Sequence, residues 1–242
     1  MSPEIVSAWD TTSQTFLAAV PLTGPFPTPP FLRAWESHFA SPPAETSIVR
    51  SVDGALPIWS DQRTIRFQGE ASVTDDHAPL GASIESNVAL LSETFAGFRF
   101  SFDSIPNDGR TPLLHALDQV STDVGVLDHA ATLVLDLPSD PDTWIASLSK
   151  KQRHEVRRKL RRFDDIVGEP IYERRTDSEA FEAFLAMHRA APGKKAEFMT
   201  ARAEAFFLTL LTDVGASIDL LSDNGRPVAA AFGFADERAY YL

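Results

Sequence analysis

Asn224-Gly225 stands between two runs of strand character, and this dipeptide constrains the chain more than any other feature. Both positions tolerate positive φ, as a tight hairpin turn requires, so residues 217–221 and 228–234 are predicted to be antiparallel neighbours. In the second run Val228, Ala230, Phe232 and Phe234 share one face, while Ala229, Ala231 and Gly233 share the other. A face of small residues lets a helix, another backbone or a ligand come close. A third strand is expected over 238–242, carrying Tyr240, Tyr241 and Leu242. Natural termini are usually polar and loosely held, so a return strand that stops on aromatic residues reads as a sheet cut short, with a true C-terminal edge strand as the alternative.

The same periodicities organise the rest. Asp140-Pro141 predicts a helix start, an N-cap acid followed by a proline whose missing N–H costs nothing there. Ser149 with Gln152 forms a capping-box pattern, and Val156, Leu160 and Phe163 give the helix behind it one narrow apolar stripe. A strand follows at 169–175. The next helix carries Phe181, Phe184, Leu185 and His188, Pro192-Gly193 breaks it, and a helix over 200–213 holds Phe206, Phe207, Leu210 and Leu211. In the first half, the prolines of residues 21–30 exclude a helix or a central strand. Phe31, Trp35 and Phe39 recur at helical spacing. A β-like stretch over 46–68, interrupted at Asp53-Gly54, leads to a helix at 84–96 and a strand at 98–102. A helix at 111–120 and a strand at 131–137 complete this half. Pro138 to Pro141 punctuates the chain, which predicts a mixed α/β protein divided into residues 1–138 and 139–242.

Charge is distributed unevenly. The net charge is −12, yet residues 150–162 hold eight cations against one acid, Glu155. That stretch is +7 and leaves −19 for the remainder, which argues against nucleic-acid binding by the whole surface. Lys150, Arg153, Arg157 and Arg161 fall along one side of the helix. Arginine offers planar paired donors for phosphate and carboxylate, so this side is a candidate for an anionic acceptor or a charged surface. A solvated face balanced by the acidic body accounts for the same pattern. Lys194 and Lys195, beside Pro192-Gly193, read either as further phosphate donors or as a plain loop.

Other chemistry finds little support. The chain has no cysteine, which removes disulfides, cysteine–zinc sites and a cysteine nucleophile. No apolar run approaches the roughly 20 residues that span a bilayer, and the N-terminus lacks signal-peptide character, so a cytoplasmic location is expected. His188, on an apolar stripe, reads as a hydrogen-bonded core histidine rather than a base. Asp75, Asp76 and His77 are adjacent in sequence, and three neighbours seldom converge on one ion, so no metal is expected. Nucleophile elbow, P-loop, dinucleotide fingerprint and zinc spacing are missing from the sequence.

The segments LSKKQRHEVRRKLRRFDDIVGEP, FEAFLAMHRA, GKKAEFM, NGRPVAAAFGF and AYYL, in that order, resemble the C-terminal domain of BioF2-like GNAT acetyltransferases. That group includes CelD-type proteins and is related to the FemAB peptidoglycan aminoacyltransferases. FPTPPFLRAWESHFA and IRFQGEASVTDDHAPLG resemble the family's N-terminal signature, with Asp76 where many members carry tyrosine. The resemblance implies two tandem GNAT-like halves, the second incomplete. It also implies transfer of an acyl group from acetyl-CoA or another acyl-CoA to an amine, the acceptor being a small molecule or a cell-envelope or polysaccharide precursor. By the same resemblance the acyl-pantetheine arm would run along Tyr240, Tyr241 and Leu242, with its pyrophosphate on a helix N-terminus beyond them. On that reading the chain alone is expected neither to bind acyl-CoA well nor to turn over. A FemAB-type enzyme using aminoacyl-tRNA, or a non-catalytic module docking an anionic partner through residues 150–162, are the rival readings.

Overall fold

The computed structural model describes residues 2–9, 23–40, 45–69, 72–121, 123–128, 131–168 and 170–242. They form a mixed α/β structure with two sheets. The first sheet runs β1-β2-β3-β4-β6, with β5 paired to β3. Its strands are β1 (Glu4–Val6), β2 (Glu45–Arg50), β3 (Gly54–Asp61), β4 (Thr64–Phe67), β5 (Leu80–Gly81) and β6 (Arg99–Phe100). Every pair is antiparallel except β4 with β6. The second sheet has the order β10-β9-β8-β7, antiparallel throughout, from β7 (Ile171–Arg175), β8 (Ser217–Asp223), β9 (Arg226–Ala235) and β10 (Tyr240–Tyr241).

Strand alternation divides the first sheet between two cores. Ile48 and Ala55 face one cluster with Phe31, Leu32 and Trp35 of helix α1 (Pro29–Phe39). Val49, Leu56 and Ile58 face the other, with Ile84, Val88 and Leu91 of α2 (Ile84–Thr94) and Leu113 of α3 (Asn107–Asp118). Phe98, Phe100 and Phe102 pack on this second cluster, as their shared face predicts. A third cluster joins α6 (Ser178–Ala190), α8 (Ala201–Thr209) and the inner face of β8 and β9. The first cluster also takes in Phe206 of α8, Leu210 of the π-helical turn Leu210–Val214 and Phe234 of β9. Both halves of the chain thus contribute to one core.

Several local expectations change. Prolines 29 and 30 open α1 rather than preceding it, since the first helical turn needs no proline N–H. The β3–β4 hairpin turns on Gln62 and Arg63, both at positive φ without a glycine. The run 98–102 pairs only over β6, and the final strand only over Tyr240–Tyr241. Residues 131–137 form no strand: Leu133, Val134, Leu135 and Leu137 are exposed and the segment pairs with neither sheet. A short run of strand character is not stable alone and takes strand form only where it pairs. Residue 169, assigned to the start of β7 by pattern, lies outside the described residues.

Candidate active site on the C-terminal sheet

The second sheet is two-faced. Ile218 and Leu220 point into the third core, which places Asp219 between them on the opposite face. Register sets Asp219 beside Arg174 on one side and Ala231 on the other. Arg174 donates to Asp219 through Nε (2.8 Å, to Oδ1) and Nη2 (3.3 Å, to Oδ2). The Tyr172 hydroxyl donates to Asp219 Oδ1 at 2.6 Å. The Arg174 guanidinium also lies 5.1 Å from the ring centroid of Tyr240, across the floor of the sheet.

That floor is made of Ala229, Ala231 and Gly233, the small-residue face read from the sequence. Gly233 is required for close approach: a Cβ there would sit 2.7 Å from the Tyr240 hydroxyl and 2.5 Å from the Tyr241 carbonyl oxygen. Tyr240 therefore lies flat over β9. Its hydroxyl is buried and lacks a partner of hydrogen-bonding geometry, although it is near enough to Asp219 to affect that carboxyl. Burial alone pushes the Asp219 carboxyl up, but the contacts from Arg174, Tyr172 and Tyr240 outweigh it and hold it below the ordinary range. Burial, then Asp219, push the Tyr240 phenol well up, so it stays protonated at neutral pH.

Tyr241 points the other way. Its ring packs in the first core, where a Cβ on Gly24 (φ +59°) would come within 2.8 Å of it. Its hydroxyl donates to Asp236 Oδ2 at 3.2 Å. Leu242 is exposed. One edge of β10 pairs with β9, and the other meets no strand among the described residues.

The cationic residues lie elsewhere. Helix α5 (Lys150–Val167) opens on the predicted capping box, with Ser149 and Gln152 each satisfying the other's backbone, and it has no buried residue. Arg158 grips Glu155 through two bonds, 3.0 and 2.7 Å, and Lys159 lies 3.8 Å from the same carboxylate. Arg153 donates to the Ala146 carbonyl oxygen at 3.0 Å, in α4 (Pro141–Ser147). Among the described residues Lys150, Arg157 and Arg161 make no ion pair. Lys194 and Lys195 are not in a loop but open a one-turn helix, α7 (Lys194–Phe198), behind Gly193. No hydrogen bond or ion pair joins α7 to α5 among the described residues.

His188 sits 5.7 Å from the Phe184 ring and 6.0 Å from that of Phe198, and its Nδ1 is buried without a hydrogen-bond partner, contrary to the expected bonded core histidine. Burial and then the Lys195 charge hold it below the usual histidine range. His77 is buried and bonds Asp103 through Nδ1 at 3.0 Å, while burial pushes the Asp75 and Asp76 carboxyls up. No group of three or more His, Asp or Glu is placed to hold a metal ion among the described residues.

The sequence reading missed Tyr172, Arg174 and Asp219. A lone acid inside the apolar strand SIDLLS, facing a Tyr-x-Arg pair, was the signal available.

With the order β7-β8-β9-β10 and its open face established, comparison with known proteins becomes informative. Residues 150–242 match the family model of an acetyltransferase (GNAT) domain. The match supports an acyltransferase, and GNAT domains take acyl-CoA as donor. It begins at the first residue of α5 and includes every strand of the second sheet. A crystal structure of a conserved protein of unknown function from Bacteroides thetaiotaomicron VPI-5482 is similar in fold, with a TM-score of 0.51 and 15% identity. The similarity covers 92% of this chain and 70% of that one. No curated protein matches the chain. Among the described residues no helix is long and apolar enough to cross a membrane.

Proposed function

We propose that this chain is a BioF2-like N-acyltransferase with two GNAT-like halves, moving an acyl group from acyl-CoA to an amine on a cell-envelope or polysaccharide precursor. One observation carries the reading: the residues that match a GNAT domain form an antiparallel sheet whose last strand, β10, has an open edge beside a small-residue floor. An open strand edge supplies the backbone donors and acceptors that an amide-bearing pantetheine arm needs. The cations of α5 and the Lys194–Lys195 turn attract the phosphates or an anionic acceptor.

Chemistry would proceed by direct attack. The neutral amine adds to the thioester carbon, the C–S bond breaks, and the thiolate leaves with a proton originating on the amine. Asp219, held ionised by Arg174, is a weak base and serves instead to position Tyr172, whose hydroxyl donates to it. Tyr240, protonated and carrying an unpartnered hydroxyl, is the donor that would stabilise negative charge developing on the carbonyl oxygen.

Hydrogen–deuterium exchange with saturating acetyl-CoA tests the donor site, and decides between this reading and the expectation drawn from the resemblance that the chain alone neither binds acyl-CoA well nor turns over. Protection concentrated in β9 and β10 is expected. Protection confined to other elements, or none, overturns the assignment. In a thiol-release assay with a panel of amines, Tyr240→Phe should lower kcat about 10²-fold with KM little changed.

A further inference from the structure

The apolar side chains that this chain leaves in solvent are concentrated in one stretch of its sequence. Eight of the thirteen large hydrophobic residues exposed among the described ones lie between Val126 and Ile166. Six belong to the irregular stretch before α4, and Leu160 and Ile166 belong to α5, at 47% and 70% exposure. Scattered apolar residues on a surface need no explanation, but a concentration of them does.

Helix α5 combines these residues with the cationic charge. Val156, Leu160, Phe163 and Val167 follow one another at helical spacing along one stripe, and Phe163, Ile166 and Val167 line a shallow groove rimmed by Arg158, Lys159 and Arg162. Lys150, Arg157 and Arg161 occupy the side away from that stripe. No residue of the helix is buried: Val156, Phe163 and Val167 are only half-buried and Leu160 is exposed, so among the described residues the stripe is incompletely covered. A helix with a cationic face, an apolar face and little overall hydrophobicity partitions to a membrane surface rather than across it.

We propose that α5 lies on the surface of an anionic phospholipid bilayer, with its apolar stripe in the acyl boundary and its lysines and arginines among the headgroups. Charge complementarity selects this occupant. The helix is positive where the rest of the chain is strongly negative, so an anionic surface attracts α5 and repels the body, orienting the protein. Nucleic acid would satisfy the cations but offers no hydrocarbon for Leu160 and Ile166. A second copy of α5 would bring like charges together. The inference requires no acyl donor or acceptor, but it gives to lipid headgroups the α5 cations that the acyl-transfer reading offers to phosphates or an anionic acceptor.

The test is co-sedimentation of the full chain with phosphatidylcholine vesicles, with and without phosphatidylserine. Binding at least about tenfold tighter to the anionic vesicles is expected, falling as salt is raised. Arg157→Glu with Arg161→Glu should abolish it. Leu160→Ser with Ile166→Ser keeps every charge and should also weaken it about tenfold. These side chains are exposed, so the variants should keep the parental circular dichroism and melting. Equal binding to both vesicle types, no binding to either, or full binding by the serine variant each overturns the proposal. Retention by tRNA or heparin without retention by vesicles overturns it in favour of a polyanion partner.

Discussion

The rings of Phe31 and Phe206 meet edge to face, their centroids 5.7 Å apart and both fully buried. Phe31 comes from α1 and Phe206 from α8, so this contact joins the two halves of the chain. Phe26, Phe39 and Phe234 extend it into an aromatic chain, with Phe26 and Phe234 against Phe31 and Phe39 against Phe206. Phe206→Ala should cost about 3–5 kcal/mol. Because the core is shared, far-UV and near-UV signals should lose their structure at the same urea concentration. Separate midpoints for the two halves would contradict a shared core.

The Asp219 network predicts an acid sensitivity of definite sign. Its carboxyl titrates lower in the folded chain than in the unfolded one, so its contribution is present above the ordinary carboxylate range. That contribution is lost as pH falls through the lowered value. Arg174 is nearly half exposed, so solvent screens the pair, and Asp219→Asn should cost about 1 kcal/mol or less at neutral pH. The variant should also lose less stability than the parent between neutral pH and pH values below about 4. Urea titrations at both pH values read this out.

What the sequence made legible was local. The Asn224-Gly225 turn, the caps at Asp140 and Ser149, the small-residue face of β9 and the aromatic stripes of α6 and α8 each rest on neighbours in the chain, and each is present. Contacts set by register were not legible. Asp219 meets Arg174 only because β7 and β8 align as they do, and nothing within SIDLLS specifies that alignment. The Gln62-Arg63 turn escaped notice because positive φ without glycine or asparagine leaves no compositional trace. Residues 131–137 show the opposite failure, a run of strand character that pairs with neither sheet.

His188 gives a second pH signature. Its burial and the Lys195 charge disfavour the imidazolium, so folding favours the neutral ring. The folded value lies below the ordinary one of 6.5, so this contribution is complete above that value and is lost as pH falls through the depressed one. Lys195→Met removes one cause and should reduce the loss of stability between pH 7 and pH 5, measured by denaturant midpoints. His188→Phe should remove this component altogether. An unchanged pH dependence in both variants would show that the ring does not titrate differently on folding.

Helix α5 shows what holds a helix that packs against little. With no buried residue, it depends on local interactions: the Ser149–Gln152 capping box and the Glu155–Arg158 pair at one end, and Gly168 at positive φ at the other. Asp164 and Asp165 act against these, since acids in a last helical turn oppose the helix dipole. Ser149→Ala should remove about 1 kcal/mol of helix stability. That loss should appear as faster amide exchange over the first turns of α5, with the global unfolding midpoint unchanged. If the midpoint fell together with the exchange protection, α5 would have to be packed into the cooperative core, contrary to its lack of any buried residue.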